Sequence, residues 1–212
     1  MFSVKELMRK MAAPTYGDMD KLRRVGRYLV GCPRVYQEFQ WQEKPKELTV
    51  YVDSDFAGCT TSRRSTSGGC VMWGSHCLKN WSKTQAIVAL SSGEAELGAL
   101  VKGSTEALGM QSVLTDFGEQ VGLAVRSDAT AAIGMVNREG LGKVRHLAVA
   151  DLWVQEKRRM GVIDYGKVDG KENPADALTK GLDKETLDKH TKVLGMVRAS
   201  GRHPLAPMLE DK

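Results

Sequence analysis

The sequence has few of the residues that bind zinc. It contains four cysteines and four histidines, and no two cysteines have the two-residue spacing of the usual zinc motifs. A zinc site is therefore not expected. Cys70 and Cys77 fall on the two sides of a predicted hairpin, where we expect both to be buried as small apolar side chains.

Long apolar segments are also lacking. The sequence has no signal peptide and no apolar run of about 18 residues, the length that a membrane-spanning helix needs. These absences argue against a membrane protein and a secreted protein. They predict an intracellular protein with reduced thiols and no membrane partner.

The length and the charge are those of a small basic protein. The 212 residues are enough for one domain of about 130 to 150 residues with a core, plus appendages. Lysine and arginine number 31 against 26 aspartates and glutamates, so the net charge is +5. A modest basic excess is compatible with a polyanionic substrate but does not require one.

The segment from Glu47 to Gly58 organises the rest of the chain. Its apolar residues alternate with other residues through Val52, which predicts a buried strand, and Asp53 stands at the end of that strand. A carboxylate in such a place is costly to desolvate unless a cation or several donors compensate it. The alternative is a solvated turn after an ordinary strand.

Three later segments bring further acids to comparable places. The first segment is a long helix after Ser91 and Ser92, which has two acids in its opening turns. The second is a short strand that is followed by one acid. The third is a helix that begins at Asn173 and Pro174 and has one acid just inside it. These acids are Glu94 and Glu96, Asp128, and Asp176. Magnesium prefers carboxylate oxygens, so the set predicts a magnesium site.

Six short motifs carry a family resemblance. They are Asp53 to Gly58, Arg63 to Gly68, Trp81 to Gln85, Val88 to Glu96, Ser127 and Asp128 with Ala132 and Ile133, and Ala175 to Lys180. In this order and spacing they resemble the ribonuclease H domain of copia-type retrotransposon polyproteins. The resemblance extends from about Leu48 to Lys180.

Three strands without helices between them, followed by alternating helices and strands, predict an α/β protein with a mixed five-stranded sheet flanked by helices. The resemblance identifies this as a ribonuclease H-like fold with a helical N-terminal appendage. We expect a helical connection segment over 1–46, the ribonuclease H-like domain over 47–181, and a C-terminal helix with a tail over 182–212. The tail is expected to be disordered from about Arg198.

The resemblance implies an enzyme that cuts the RNA strand of RNA:DNA hybrids during reverse transcription, using two Mg²⁺ ions that Mn²⁺ can replace. Asp53 would bridge the two ions. Glu96 and Asp128 would hold the ion at the leaving group, and Asp176 the ion that activates water. The residues alone leave Glu94 as an alternative to Glu96, since Glu94 lies nearer the apolar centre of the helical wheel; the other role of Glu94 is in helix capping.

Several basic or hydroxyl side chains are expected to position phosphates without reading bases. These candidate nucleic-acid contacts are Arg63, Arg64, Ser65, Lys83, Arg145 and His146. The alternative reading is that they are surface residues with no such role.

One departure from related enzymes is a missing histidine. Cellular and retroviral relatives have a histidine in the loop before the last helix, whereas Val168 to Glu172 contains none. We expect this to alter product release rather than abolish activity. One rival hypothesis is a non-catalytic relic or connection-type domain that binds nucleic acid, and another is an integrase-like or resolvase-like nuclease.

The resemblance also predicts partners and location. We expect an adjoining reverse transcriptase domain, because the helical start resembles the interior of a longer polyprotein. The chain is therefore expected to be a fragment of such a polyprotein, in the cytoplasm, in a virus-like particle or in the nucleus.

Overall fold

The structure, a computed structural model, describes residues 1–140, 152–201 and 205. Its strands are β1 (Arg34–Gln37), β2 (Glu47–Asp55), β3 (Thr66–Trp73), β4 (His76–Thr84), β5 (Gly122–Ser127), β6 (Asp164–Lys167) and β7 (Met196–Ala199). Its α-helices are α1 (Phe2–Met8), α2 (Tyr16–Gly31), α3 (Ser92–Asp116), α4 (Thr130–Asn137), α5 (Trp153–Arg159) and α6 (Lys184–Val193). Two 3₁₀ helices, Gly170–Glu172 and Pro174–Leu178, precede α6.

A five-stranded mixed sheet forms the centre of the protein, in the order β4-β3-β2-β5-β6. Strands β2, β3 and β4 form a continuous meander, in which β2 pairs antiparallel with β3 and β3 pairs antiparallel with β4. Strand β5 then pairs parallel to β2, and β6 pairs parallel to β5. The predicted mixed five-stranded sheet flanked by helices is confirmed.

Strand β2 has two buried faces, and each belongs to a different apolar cluster. Leu48, Val50 and Val52 are fully buried in the larger cluster, which includes the inner side of α3. Tyr51 points to the opposite face and packs against a smaller cluster that contains Cys70 and Cys77. Both cysteines are buried as expected, and β2 is covered on both faces because it occupies the middle of the sheet.

Helix α3 contains glycines that would ordinarily weaken it. At Gly103, however, a Cβ atom would lie 2.4 Å from Cγ1 of Val52, so the absence of a side chain lets the helix approach the sheet. Gly109 has nothing within 4 Å of the corresponding position. Of these two glycines, only Gly103 is required by packing.

These two glycines provide a matched test of how α3 packs. Gly103→Ala is expected to lower the free energy of unfolding by about 1–3 kcal/mol, because the new methyl group overpacks the contact with Val52. Gly109→Ala is expected to raise it by up to about 1 kcal/mol, since alanine is the better helix former at an exposed position. Denaturant unfolding of both variants measures the two effects. Equal stabilisation by both substitutions would contradict the close approach.

The segment before the sheet contacts the body of the protein at several points. In α1, the ammonium of Lys5 donates to Oγ1 of Thr66 (2.7 Å), and just after α1 the Arg9 guanidinium donates to Sγ of Cys59 (2.7 Å). Helix α2 begins at Tyr16, where the Thr15 side chain and Asp18 form a capping box. The helical appendage is thus present, and α1 is docked on the domain.

A second, two-stranded sheet was not predicted from the sequence. Strand β1 pairs antiparallel with β7, and Val35 lies opposite Arg198. The predicted start of the disordered tail at about Arg198 is therefore too early, since Arg198 and Ala199 lie in a strand. Neither strand has the alternation of apolar residues on which strand prediction depends, because both are only partly buried at best.

Candidate metal centre

The register of the two central parallel strands brings two aspartates together. Tyr51 of β2 is opposite Arg126 of β5, and Asp53 and Asp128 each follow two residues later. Parallel strands end at the same edge of a sheet, so both carboxylates emerge there side by side. One carboxylate oxygen from each of Asp53, Asp128 and Asp176 lies within 4.8 Å of the other two.

Asp176 reaches this edge from the 3₁₀ helix Pro174–Leu178, which two buried polar residues attach to the sheet. Asn173 caps the 3₁₀ helix and donates from Nδ2 to the backbone oxygen of Val52 (2.9 Å). The hydroxyl of Thr179 donates to the Asp53 carboxylate. Both residues were missed as parts of the site, although Thr179 lies inside one of the recognised motifs.

Glu96 is the glutamate of α3 that faces the aspartates. Its Oε2 atom is buried and has no hydrogen-bond partner among the described residues. Burial, followed by the charges of Asp53 and Asp128, raises the pKa of Glu96 to about 9. The carboxyl group is therefore buried close to the other acids without a fixed donor for one of its oxygens.

Glu94 has a different environment. Its carboxylate accepts a hydrogen bond from the backbone N–H of Leu90 (2.8 Å), and its own N–H donates to the capping hydroxyl of Ser91 (3.3 Å). These contacts stabilise the first turn of α3 and the loop before it, as the capping alternative proposed. The geometry favours Glu96 over Glu94 as a member of the acid cluster.

Mutual repulsion shifts the other acids as well. Burial is the largest cause of the raised pKa of Asp128, and the charge of Asp53 adds to it. The same two causes raise the pKa of Asp176 to about 6, although Lys180 opposes the shift. The ammonium of Lys180 lies 3.0 Å from Oδ1 of Asp176 and 3.8 Å from Oδ2 of Asp53.

This donor set fits a hard divalent cation. Asp53, Asp128 and Asp176 offer carboxylate oxygens that lie within 4.8 Å of one another, and outside that group Oε2 of Glu96 is a buried acceptor that a cation would satisfy. A cation would also remove the repulsion that raises the pKa values of Glu96, Asp128 and Asp176. The acid cluster, meaning these four residues, is therefore a candidate metal centre.

The residues predicted to contact nucleic acid differ in their exposure to solvent. Arg63 and Arg64 are exposed on the loop between β2 and β3, and Lys83 is exposed on β4. Ser65 is fully buried and its hydroxyl accepts a hydrogen bond from the N–H of Ala57, so it holds the loop rather than facing solvent. This corrects its proposed role as a surface contact. Arg145 and His146 lie outside the described residues.

The loop that lacks a histidine passes directly beside the acid cluster. A Cβ atom at Gly170 would lie 3.0 Å from Oδ2 of Asp128. The following 3₁₀ helix is capped by the side chain of Asp169, which accepts from the N–H of Lys171 (2.8 Å). At residue 170, therefore, the neighbour of Asp128 is the peptide backbone and not a titratable side chain.

Comparison with known proteins identifies relatives of this chain. No protein-family model matches it. It is 28% identical over 200 residues to the retrovirus-related Pol polyprotein from transposon RE2 of Arabidopsis thaliana, covering 93% of this chain and 14% of that protein. The chain is a homologue of retrotransposon Pol polyproteins. A second such homologue, from transposon TNT 1-94 of Nicotiana tabacum, is 29% identical over 151 residues, covering 70% of this chain and 11% of that protein.

The Pol polyprotein homology covers a small part of each relative, since the chain spans only about 14% of the length of the first. Among solved structures, the ribonuclease H1 called LC11, isolated from compost, is 18% identical with a TM-score of 0.49, covering 68% of this chain and 97% of that one. The ribonuclease H1 of Halobacterium salinarum is 20% identical with a TM-score of 0.45, covering 67% of this chain and 98% of that one. No described helix has the length and hydropathy needed to cross a bilayer.

The raised pKa values predict how stability depends on pH when metal is removed. An acid whose pKa is higher in the folded state binds its proton more tightly there, so its contribution to folding is lost as pH rises. Between about pH 4 and pH 9, set by Glu96 and Asp176, the melting temperature in chelator should therefore fall. Mg²⁺ should flatten this decline. Thermal unfolding at a series of pH values, with EDTA or with Mg²⁺, measures both effects.

Glu96→Gln isolates the largest contribution to this pH dependence. At neutral pH in chelator the amide should stabilise the protein by about 1 kcal/mol or more, because the Glu96 carboxyl, with its pKa of about 9, must take up a proton on folding and the amide need not. In a chain of this size that corresponds to about 2–4 °C in melting temperature. Glu94→Gln serves as the control and should not stabilise, since the carboxylate of Glu94 accepts a backbone hydrogen bond. A stability that rises with pH in chelator would contradict the buried acid cluster.

Proposed function

We propose that this chain is a ribonuclease H that hydrolyses the RNA strand of RNA:DNA hybrids. The observation that carries the proposal is the convergence of Asp53, Asp128 and Asp176 within 4.8 Å, with the buried carboxyl of Glu96 beside them. The acids come from β2, β5, α3 and a 3₁₀ helix, so only the complete fold assembles them. The homology to retrotransposon Pol polyproteins supports the same activity.

The acid cluster would hold two Mg²⁺ ions, or Mn²⁺ in their place, as the resemblance implies. When bound, such ions stabilise charge on the attacking and leaving oxygens of an in-line displacement at phosphorus. Asp53 takes the central role because it lies on the middle strand of the sheet and its charge acts on each of the other three acids. The hydroxyl of Thr179 orients Asp53, and the backbone of Val52 holds the 3₁₀ helix of Asp176 through Asn173.

The remaining acids complete the arrangement. Glu96 presents a buried oxygen that no described group satisfies, and Asp128 follows directly from β5. In the proposal these two residues would hold the ion that stabilises the leaving group, while Asp176 would hold the ion that activates water. Hydrolysis with this geometry leaves a 3′-hydroxyl on the RNA.

The substrate is proposed from charge and from the relatives. The exposed Arg63, Arg64 and Lys83 can position phosphates, and the chain carries a net charge of +5. Selectivity for the hybrid would come from 2′-hydroxyl contacts and groove shape rather than base sequence. We propose that the domain acts next to a reverse transcriptase domain of an intracellular retrotransposon polyprotein, with residues 47–181 as the nuclease unit.

A cleavage assay with matched substrates tests the proposal. The full chain should degrade the RNA of a labelled hybrid in Mg²⁺ and leave duplex RNA and duplex DNA intact, and EDTA should stop the reaction. Asp53→Asn and Asp128→Asn should each lower the rate by at least about 100-fold, because each removes a charged ligand from the centre. Asp164→Asn is the control, since this acid lies on β6 and pairs with Arg126 outside the cluster.

Other results of the cleavage assay would favour a rival hypothesis or refute the proposed mechanism. Binding of the hybrid without cleavage in either metal would favour the non-catalytic relic. Cleavage of duplex DNA would favour an integrase-like or resolvase-like nuclease. Cleavage that survives EDTA or the Asp53→Asn substitution would refute the metal-dependent mechanism.

A further inference from the structure

Lys180 is a cation placed inside the acid cluster by the fold itself. Its ammonium lies 3.0 Å from Oδ1 of Asp176 and 3.8 Å from Oδ2 of Asp53. These two carboxylates belong to the residues that the proposed function assigns to metal binding. The ammonium therefore contacts groups whose oxygens a divalent cation would need.

The backbone at Lys180 is held close to the acid cluster. The preceding residue, Thr179, is fully buried and donates its hydroxyl to Asp53. The N–H of Lys180 donates to the backbone oxygen of Asp176 (3.3 Å). The Lys180 side chain consequently starts from a fixed point beside the site, and only its own rotamers decide where the ammonium lies.

The side chain of Lys180 is nevertheless open to solvent. It is 43% exposed, whereas the side chain of Asp53 is 5% exposed. A long side chain with this exposure can withdraw its ammonium to water without moving the backbone or uncovering the core. Lys180 thus combines close contact with the carboxylates and a free path away from them.

We infer that the ammonium of Lys180 competes with the divalent metal for the carboxylates of Asp53 and Asp176. The inference rests on the proposed function, because it assigns regulation to the same metal centre. Metal binding displaces the ammonium, so the observed affinity is the intrinsic affinity reduced by the internal ion pair. Lys180 is therefore a positioning residue that sets how much metal the nuclease needs.

Metal titration of the full chain tests the competition without using activity. By isothermal titration calorimetry, Lys180→Gln should bind Mg²⁺ about tenfold more tightly than the wild-type chain, equivalent to about 1.4 kcal/mol. Lys180→Arg keeps the charge and should stay within about twofold of wild type. The matched control is Lys189→Gln, because Lys189, on α6, pairs with Glu172 of the 3₁₀ helix Gly170–Glu172 rather than with the acid cluster. Unchanged or weaker Mg²⁺ binding by Lys180→Gln would overturn the inference.

Thermal unfolding supplies an independent readout. In chelator, Lys180→Gln should melt below the wild-type chain, since the acids lose their internal counterion. Saturating Mg²⁺ should remove that difference. A difference that is as large in Mg²⁺ as in chelator would show a purely structural ion pair and overturn the competition.

A third measurement uses the wild-type chain alone and does not depend on any variant folding. Mass spectrometry can follow the modification of Lys180 by an amine-specific reagent, and Mg²⁺ should raise its rate severalfold while leaving Lys189 unchanged. Protection of Lys180 by Mg²⁺ would overturn the inference. If the wild-type chain does not bind Mg²⁺ at all, the proposed function is overturned together with the competition. If it binds Mg²⁺ but Lys180 does not respond, only the competition is overturned.

Discussion

The structure depends on gathering carboxylates that repel one another at the buried end of its central strand. Asp53 is 3% exposed, and Asp128 and Asp176 approach it from a neighbouring strand and a 3₁₀ helix. Such an arrangement is unfavourable for folding unless something compensates the charge. Thr179 and Lys180 compensate part of it from within the chain, and the proposed metal would compensate the rest. The same electrostatic problem thus links the stability of the site to the proposed binding of metal.

The helices next to the acid cluster pack closely on the central sheet. Helix α3 lies close on β2 because Gly103 has no side chain there, and Glu96 lies near the start of the same helix. On the opposite face, a Cβ atom at Gly68 would lie 2.8 Å from Cβ of Leu178, so the 3₁₀ helix of Asp176 also packs directly on the sheet. Small residues at these two contacts are therefore linked to the geometry of the site.

Much of this arrangement could be predicted from the sequence, because it follows local rules. The alternation before Asp53 and the short strand before Asp128 predict strands, and parallel pairing then brings the two acids together. The choice between Glu94 and Glu96 could not be made from the helical wheel, because the first turn of α3 faces both the apolar core and the acid edge. In the structure the carboxylate of Glu94 accepts a backbone hydrogen bond from Leu90, which supports a capping role for Glu94.

Other features depend on long-range contacts that leave no periodic signal. The hydroxyl of Thr179 and the amide of Asn173 gain their roles only when the 3₁₀ helix meets β2, more than a hundred residues earlier in the chain. The burial of Ser65 likewise follows from a loop that folds back to Ala57. A polar residue inside a motif looks the same in sequence whether it faces the substrate or supports the fold.

The pairing of β1 with β7 has a consequence for folding. The two strands are the first and the last that the structure describes, and they form a separate ribbon of only two strands. Closing such a long stretch of chain costs entropy, and a two-stranded ribbon with little buried surface returns little to offset that cost. The ribbon is therefore expected to close after the central sheet has condensed and to be among the first parts to exchange its amide hydrogens with solvent.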